Sequence, residues 1–387
     1  MKTVITAARL FTPLECIESP VVVVEDGRFL SSVGSRLEME VPQNSRQFDF
    51  PDAVLVPGFI DIHIPGGAGH DIMETDSSAL VAIERHMARH GVTSYLPTTV
   101  TALEDRILRA LEFLGKRISR QDYSDGGARP IGIHLEGPFI SHAKRGVHPP
   151  EYLVQPSPQM FEKYWQASGG MLSMMTIAPE LPGAIDTIQY AKKAGVQSSI
   201  GHSNAIYSEA RQAIDAGADH ATHTFNAMRP LDHREPGILG AVLTDDRITA
   251  DIIADGIHTD PSVVKLFLNA KGPERAILIT DAISATGMPE GKYKLGLFEV
   301  DVKDGRCEYQ GKLAGSVLTL DRAVRNVMSF ADWKLQQAVR LASLNPARVL
   351  GIADQKGTIR VGNQADVVTL TPKGEVMQTF IAGNKIG

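Results

Sequence analysis

Cysteine is scarce in this sequence. The 387 residues contain 2 cysteines, Cys16 and Cys307, which lie far apart and form no CxxC pair. Because a disulfide framework or a cysteine metal centre needs several closely spaced cysteines, neither is expected. A reducing cytoplasm is therefore the predicted location.

Long apolar runs and an excess of positive charge are also missing. No uninterrupted apolar stretch approaches membrane-spanning length, and Arg9 interrupts the N-terminal segment, which is not typical of a signal peptide. The formal net charge is −6, which leaves no basic excess for nucleic acid or an anionic membrane. We expect a soluble protein that binds a small molecule, with no nucleic-acid or membrane partner.

The two chain ends share a β-type pattern. The 43% hydrophobic and 22% charged content is that of a globular chain with a large core and a smaller second module. Short apolar runs near the N-terminus are broken by turn sequences such as Asp26-Gly27, and similar runs near the C-terminus are broken by Gly362-Asn363. We predict that residues 1–55 and 355–387 pair into one small β-sandwich domain.

Residues 56–354 have a different pattern, in which strand candidates alternate with helical segments that end at glycine. This alternation predicts an α/β domain with parallel strands, and eight strands are the number that closes a (β/α)8 TIM-like barrel. A hairpin and two helices are expected after the eighth strand. The strand candidates are "LVPGFIDIH", "TSYLPT", "IGIHLEG", "LSMMTIAPE", "QSSIGHS", "DHATHTFN", "ITADIIAD" and "AILITDA".

Ionisable residues collect at the C-terminal ends of these strands, which form the active-site face of such a barrel. Burying so many of them costs free energy unless a metal or a charged substrate compensates, so their concentration predicts a functional site. They are Asp61, His63, His134, Glu136, His202, His220, His223, Asp255, His258 and Asp281.

Three of these residues are suitable ligands for a catalytic divalent metal. Glu136, His202 and His223 supply one oxygen and two imidazole nitrogens from different strands and leave a position for water. Taken singly, His202 could be a hydrogen-bonded strand-end histidine, and Glu136 could accept loop amides. Asp281 could move a proton at the site or could cap a helix N-terminus, and both interpretations stay open.

With these residues placed, the sequence resembles the N-acetylglucosamine-6-phosphate deacetylases, a branch of the amidohydrolase superfamily of metal-dependent hydrolases. Together with the β module of both chain ends, the resemblance covers essentially the whole length. Its matching stretches, in family order from residue 57 to 316, are "PGFIDIH", "HLEGPFI", "GVHPP", "GHS", "HTFNAM", "REPGILGA", "DGIH", "TDAISATGMPEGKY" and "LAGS".

The resemblance implies hydrolysis of the 2-acetamido group of N-acetylglucosamine 6-phosphate to acetate and glucosamine 6-phosphate. It gives Glu136, His202 and His223 as metal ligands, Asp281 as the catalytic acid and base, and His148 as a residue at the acetamido group. It also implies that Arg234 reaches the phosphate from a neighbouring subunit of a homodimer, or of a tetramer of dimers. The remaining pocket residues that it implies are Asn226, Ala227, His258, Leu313, Ala314 and Gly315.

One divalent ion per subunit is expected, with zinc as the first expectation and iron, manganese, cobalt or nickel as alternatives. Two-metal relatives carry a second histidine two positions after the first, where this chain has Pro65 after His63. We predict that His63 lies beside the metal or supports only a weak second site. His70 follows after three glycines and is a poor substitute.

Several alternatives remain. The same reaction on N-acetylgalactosamine 6-phosphate differs in one hydroxyl and cannot be distinguished by motif. Other amidohydrolases usually bridge two metals with a modified lysine, and "IGIHLEGPF" contains no lysine. A catalytically decayed binding protein is a third hypothesis. Individually, Arg234 could pair with Glu235 at the surface, His258 could cap the loop after "DGI", and His148 could be solvated in its proline-rich loop.

Overall fold

Strands make up most of the framework that positions the site. The computed structural model describes residues 2–25, 28–120 and 126–387. Its strands, numbered in chain order, are β1 Lys2–Phe11, β2 Cys16–Glu18, β3 Pro20–Glu25, β4 Phe29–Ser35, β5 Ser45–Pro57, β6 Phe59–Ile64, β7 Gly66–Gly67, β8 His70–Asp71, β9 Val92–Thr99, β10 Arg129–Pro130, β11 Ile133–Glu136, β12 Leu172–Ile177, β13 Gln197–Ile200, β14 His220–Ala221, β15 Ala250–Ile253, β16 Ala276–Ile279, β17 Gly291–Leu295, β18 Phe298–Lys303, β19 Arg306–Tyr309, β20 Lys312–Leu313, β21 Val367–Leu370, β22 Val376–Ile381 and β23 Asn384–Lys385.

Helices connect most of the central strands. The α-helices are α1 Ser77–Arg89, α2 Glu104–Ser119, α3 Pro158–Ala167, α4 Ala184–Lys193, α5 Tyr207–Ala216, α6 Gly237–Thr244, α7 Pro261–Arg275, α8 Leu320–Ala331, α9 Leu335–Leu341 and α10 Leu344–Val349. Short 3-10 helices span Ile72–Glu74, His142–Lys144 and Pro150–Tyr152. Within the described ranges, no helix is both long and apolar enough to cross a lipid bilayer.

Both chain ends contribute to one sheet. Its described strands follow the order β23-β22-β21-β5-β1-β3-β4, with β2 paired to β1. Because β5 pairs parallel with β1 and antiparallel with β21, the C-terminal strands continue the N-terminal sheet. The amide of Leu30 donates to the carbonyl of Asn363 at 2.9 Å, which ties β4 to the segment before β21. The predicted turn at residues 26–27 lies outside the described residues.

The central strands follow the predicted α/β alternation. All eight strand candidates contain a strand, and β6, β9, β11, β12, β13 and β14 form a curved parallel sheet, while β15 and β16 pair separately. Hydrogen bonds span both gaps between these groups. The amide of Ala221 donates to Thr249 at 3.0 Å, and the amide of Asp281 donates to His63 at 3.0 Å. The C-terminal ends of β6 and β16 are thereby held side by side.

The segment after β16 is larger than the predicted hairpin. Its described strands β17 to β20 form an antiparallel sheet of four. Asp304-Gly305 and Gln310-Gly311 connect successive strands, and all four residues have positive φ, as two-residue hairpin turns often require.

Three described helices then follow this sheet, where the sequence predicts two. The third of these helices, α10, was not predicted because it contains Pro346, and a proline usually marks the end of a helix. This proline lies within the first turn, where a helix tolerates it.

Candidate active site

Glu136 lies at the centre of the ionisable cluster. It ends β11, and its Oε1 is 3.2 Å from Nε2 of His202 and 3.0 Å from Nε2 of His223. His202 lies just beyond the end of β13, and His223 lies just beyond the end of β14, in the same sheet as β11. A carboxylate oxygen and two imidazole nitrogens are a donor set that zinc and similar divalent ions accept, so these residues could hold a metal.

His148 competes with His223 as a third ligand. Single ligand atoms of Glu136, His148 and His202 all lie within 4.8 Å of one another. However, the backbone amide of Thr101 donates to Nδ1 of His148 at 3.4 Å, and the Thr101 hydroxyl is 2.8 Å from the same nitrogen. A nitrogen that accepts leaves the proton of a neutral imidazole on Nε2, which then donates rather than binds a metal.

His202 has the opposite arrangement. Its Nδ1 is 2.8 Å from the carbonyl of Lys144, which can only accept, so Nε2 keeps its lone pair toward Glu136. Burial and the nearby His202 lower the pKa of His148 to about 3, which keeps that ring neutral. These contacts favour His202 and His223 as ligands and His148 as a hydrogen-bond donor.

The backbone is strained at the same place. His202, His223 and Asp281 have φ of 45°, 31° and 49°. Non-glycine residues seldom adopt such values, and strained residues of this kind cluster at functional sites.

His63 is fully buried beside the cluster. Its Nε2 lies 3.4 Å from Oε2 of Glu136 and 3.5 Å from Oδ1 of Asp281. Burial alone would lower the pKa of His63, but these carboxylates outweigh it and raise the pKa to about 10. His70 instead contacts Glu74 at 3.1 Å near the surface.

Asp281 follows β16 and faces the same space. Burial raises the pKa of its carboxyl, with the negative charge of Glu136 adding to the effect and His63 opposing it. The carboxyl of Glu136 behaves differently: burial opposes its ionisation, but the neighbouring charge of His63 holds its pKa well below the usual value. The described residues that directly follow Asp281 form a turn rather than a helix, so the helix-cap interpretation does not apply.

Most of the residues predicted to form the site line one pocket of about 320 Å³. The buried amide nitrogen Nδ2 of Asn226, which lines this pocket, has no hydrogen-bond partner among the described residues. His258 is held by Asp255, whose Oδ2 is 2.7 Å from its Nδ1. The predicted residues that line the pocket are Glu136, His148, His202, His223, Asn226, Ala227, His258, Asp281, Leu313, Ala314 and Gly315.

Arg234 lies outside this pocket. It is exposed in the loop before α6, where its amide donates to Asp232 at 2.8 Å. Its guanidinium forms no ion pair with a described carboxylate, and Glu235 pairs instead with Arg229 at 3.5 Å. The surface-pair interpretation of Arg234 and Glu235 is therefore wrong.

Sequence reasoning missed two residues that hold the site. Thr101 fixes the ring of His148, and Asp251 accepts the backbone amide of His223. An aspartate inside the apolar run "ITADIIA" could have drawn attention, because an isolated buried carboxylate is costly. Thr101 gave no comparable signal.

Comparison with known proteins places this site in a family. The model of the amidohydrolase family matches residues 54–386. The chain belongs to that family.

Among curated amidohydrolase relatives, N-acetylglucosamine-6-phosphate deacetylase of Bacillus subtilis (strain 168) is 37% identical over 97% of this chain and 94% of its own. N-acetylgalactosamine-6-phosphate deacetylase of Escherichia coli O157:H7 is 40% identical over 85% of this chain and 87% of its own. A solved structure of a mutant N-acetyl-D-glucosamine-6-phosphate deacetylase from Mycobacterium smegmatis, in complex with N-acetyl-D-glucosamine 6-phosphate, has a TM-score of 0.92 at 34% identity. The match covers 100% of this chain and 99% of that chain.

Proposed function

We propose that this amidohydrolase removes the acetyl group from N-acetyl-D-glucosamine 6-phosphate, giving acetate and D-glucosamine 6-phosphate in amino-sugar catabolism. The observation that carries the proposal is the convergence of Glu136, His202, His223, His148 and Asp281 on one pocket. The relatives named for this activity, which align over nearly the whole chain, support it.

Glu136, His202 and His223 would hold the divalent ion. When bound, such an ion supplies Lewis-acid chemistry: it lowers the pKa of a water molecule and polarises the amide carbonyl. Asp281 accepts the proton of the attacking water, and Nε2–H of His148 donates to the oxygen that becomes negative in the tetrahedral intermediate. Asp281 then returns the proton to the amine nitrogen as the C–N bond breaks.

The sugar phosphate would occupy the remainder of the pocket. Asn226, Ala227 and His258 line it on one side, and the backbone of Leu313 to Gly315 lines it on another. The Nδ2 group of Asn226, which has no described partner, is a donor suited to a sugar or phosphate oxygen. Arg234 from the neighbouring subunit of a homodimer, or of a tetramer of dimers, supplies a guanidinium for the phosphate.

We also propose a division of the chain into two domains. Residues 56–354 would form the complete (β/α)8 barrel, and residues 1–55 with 355–387 the β-sandwich domain. The hydrogen bonds across both gaps of the parallel sheet support barrel closure. Strand β5 continues through to Pro57, slightly past the proposed boundary. The cytoplasmic location remains a prediction.

Acetate release from both sugar phosphates, with metal analysis of the same sample, tests the activity. Turnover of N-acetylglucosamine 6-phosphate above that of its galactose epimer is the expected result. The Escherichia coli relative makes the galactosamine substrate the second candidate. If metal-loaded protein releases acetate from neither substrate, the proposal is rejected.

The metal stoichiometry follows from His63 and Pro65. We expect activity of metal-depleted protein to saturate at about one divalent ion per subunit, since a proline side chain offers no donor atom beside His63. Titration with zinc while acetate release is followed measures this. Pro65→His is the matched variant, because it restores the second histidine and should bind a further ion. Wild-type activity that rises until two ions are bound would contradict the one-metal prediction.

Arg234→Ala should weaken use of the phosphorylated substrate far more than use of N-acetylglucosamine. The lost charge-assisted contact predicts a roughly 10- to 150-fold fall in kcat/KM for the sugar phosphate. Arg36→Ala is a matched control, since Arg36 is also exposed but pairs with Asp49 in the other sheet.

Mixing subunits tests whether Arg234 acts across the interface. Homodimers of Arg234→Ala and homodimers of Asp281→Asn should each keep only a small fraction of wild-type activity. A mixed dimer has one complete site, so random exchange should restore about a quarter of wild-type activity. No recovery after verified exchange would place Arg234 in its own subunit's site.

A further inference from the structure

Asp251 is a fully buried carboxylate that the proposed reaction does not use. It lies in β15, and both of its oxygens have partners on the neighbouring strand segment. Oδ1 accepts the backbone N–H of His223, and Oδ2 is 2.9 Å from Nε2 of His220. The backbone carbonyl of Asp251 accepts the amide of Thr224 at 2.9 Å. One residue therefore holds the chain on both sides of the His223 peptide.

His220 is itself fixed from its other side. Its Nδ1 is 2.7 Å from the hydroxyl of Thr249, and that hydroxyl donates to the carbonyl of Asp219 at 3.0 Å. Because His220 and Asp251 are both fully buried, solvent cannot replace these contacts. The pair forms a rigid support beneath the end of β14.

His223 is the residue held in this way, and its backbone conformation is strained. His223 has φ of 31°, which costs free energy for a side chain of this kind, and its Nδ1 has no described hydrogen-bond partner. Metal-binding histidines are usually oriented through their second ring nitrogen. In this chain, apart from the contact of Nε2 with Glu136, the described hydrogen bonds of His223 are made by its backbone, and Asp251 accepts the backbone amide.

We propose that Asp251, itself held by His220, is a positioning residue. It holds the strained backbone of His223 and so directs Nε2 of His223 toward the metal. The inference rests on the proposed function, because it takes His223 as a metal ligand. Asp251 touches neither substrate nor metal in this arrangement, and its effect passes through His223.

Asp251→Asn tests the proposal with little change of shape. Asparagine is uncharged, so the hydrogen bond from the amide of His223 becomes a neutral one, roughly half as strong as the charge-assisted bond that it replaces. We expect the dissociation constant for cobalt(II), titrated into metal-depleted full-length protein and followed by its visible absorption, to rise about 10- to 100-fold. At saturating cobalt, kcat should fall less than the metal affinity does.

Coupling to His223 separates positioning from general stability. In a His223→Gln background, Asp251→Asn should change cobalt affinity by less than about three-fold, because the ligand it positions is already gone. Full additivity of the two substitutions would overturn the inference, as would wild-type cobalt affinity in Asp251→Asn alone.

Asp366→Asn is the matched control. Asp366 is also a buried carboxylate that accepts one backbone amide, from Ala382 at 2.8 Å, and contacts one basic side chain, Lys356. It directly precedes β21 in the sheet of the chain ends, so its loss should lower the melting temperature and leave cobalt affinity unchanged. An equal loss of affinity in this control would show that destabilisation alone explains the effect. Failure of wild-type protein to bind cobalt would reject the proposed metal site, and the inference with it.

Discussion

Asp281→Asn should remove nearly all turnover while the protein still binds its metal. Asparagine keeps the shape of the side chain but cannot take a proton from water or return one to the leaving amine. General acid and base catalysis of this kind contributes on the order of 100- to 10,000-fold, and we expect a loss in that range. Acetate release at saturating substrate, compared with metal content of the same preparation, measures both quantities.

The structure makes this substitution informative. The side chain of Asp281 forms no hydrogen bond with Glu136, His202 or His223, and its Oδ1 lies 3.5 Å from Nε2 of His63. Metal content should therefore remain near that of wild type. Near-normal deacetylation by a metal-loaded Asp281→Asn variant would remove Asp281 from the mechanism.

The second large effect concerns metal binding by Glu136. Glu136→Gln removes the carboxylate that contacts both His202 and His223, and we expect metal affinity to fall by at least about 100-fold, with activity falling in parallel. Calorimetric titration of metal-depleted protein, with a melting curve to verify folding, measures the loss. Unchanged affinity would place the metal elsewhere.

A matched pair of histidine variants decides the third ligand. His223→Gln should lose metal, whereas His148→Gln should keep metal and lose turnover, because the hydrogen bond from the amide of Thr101 to Nδ1 places the proton of a neutral His148 ring on Nε2. The reverse result would make Glu136, His148 and His202 the metal-binding group.

Much of the secondary structure was predictable because its causes are local. The apolar residues of a helix or strand recur with its characteristic period, and a cap or hairpin turn needs particular residues at fixed offsets. Thus α1 begins after Asp76, whose side chain accepts the amides of Ser78 and Ala79, and α5 ends at Gly217. Local pattern was insufficient where it was ambiguous, as with the proline inside α10.

The site was only partly predictable. Glu136, His202, His223 and Asp281 could be proposed because several ionisable groups at strand ends have few explanations other than a functional one. The sequence could not show the hydrogen bond from Thr101 to Nδ1 of His148, nor that Arg234 lies outside the pocket.

The sequence by itself determined the alternation of strands and helices, the β-type pattern that both chain ends share, and the chemical types of the residues at the strand ends. The tertiary structure decided which of those residues meet. Glu136 contacts His223 across 87 positions of sequence, and Asp251 reaches back 28 positions to the amide of the same residue. Such contacts depend on how neighbouring strands align and on backbone angles as unusual as that of His223, and neither is encoded in local periodicity.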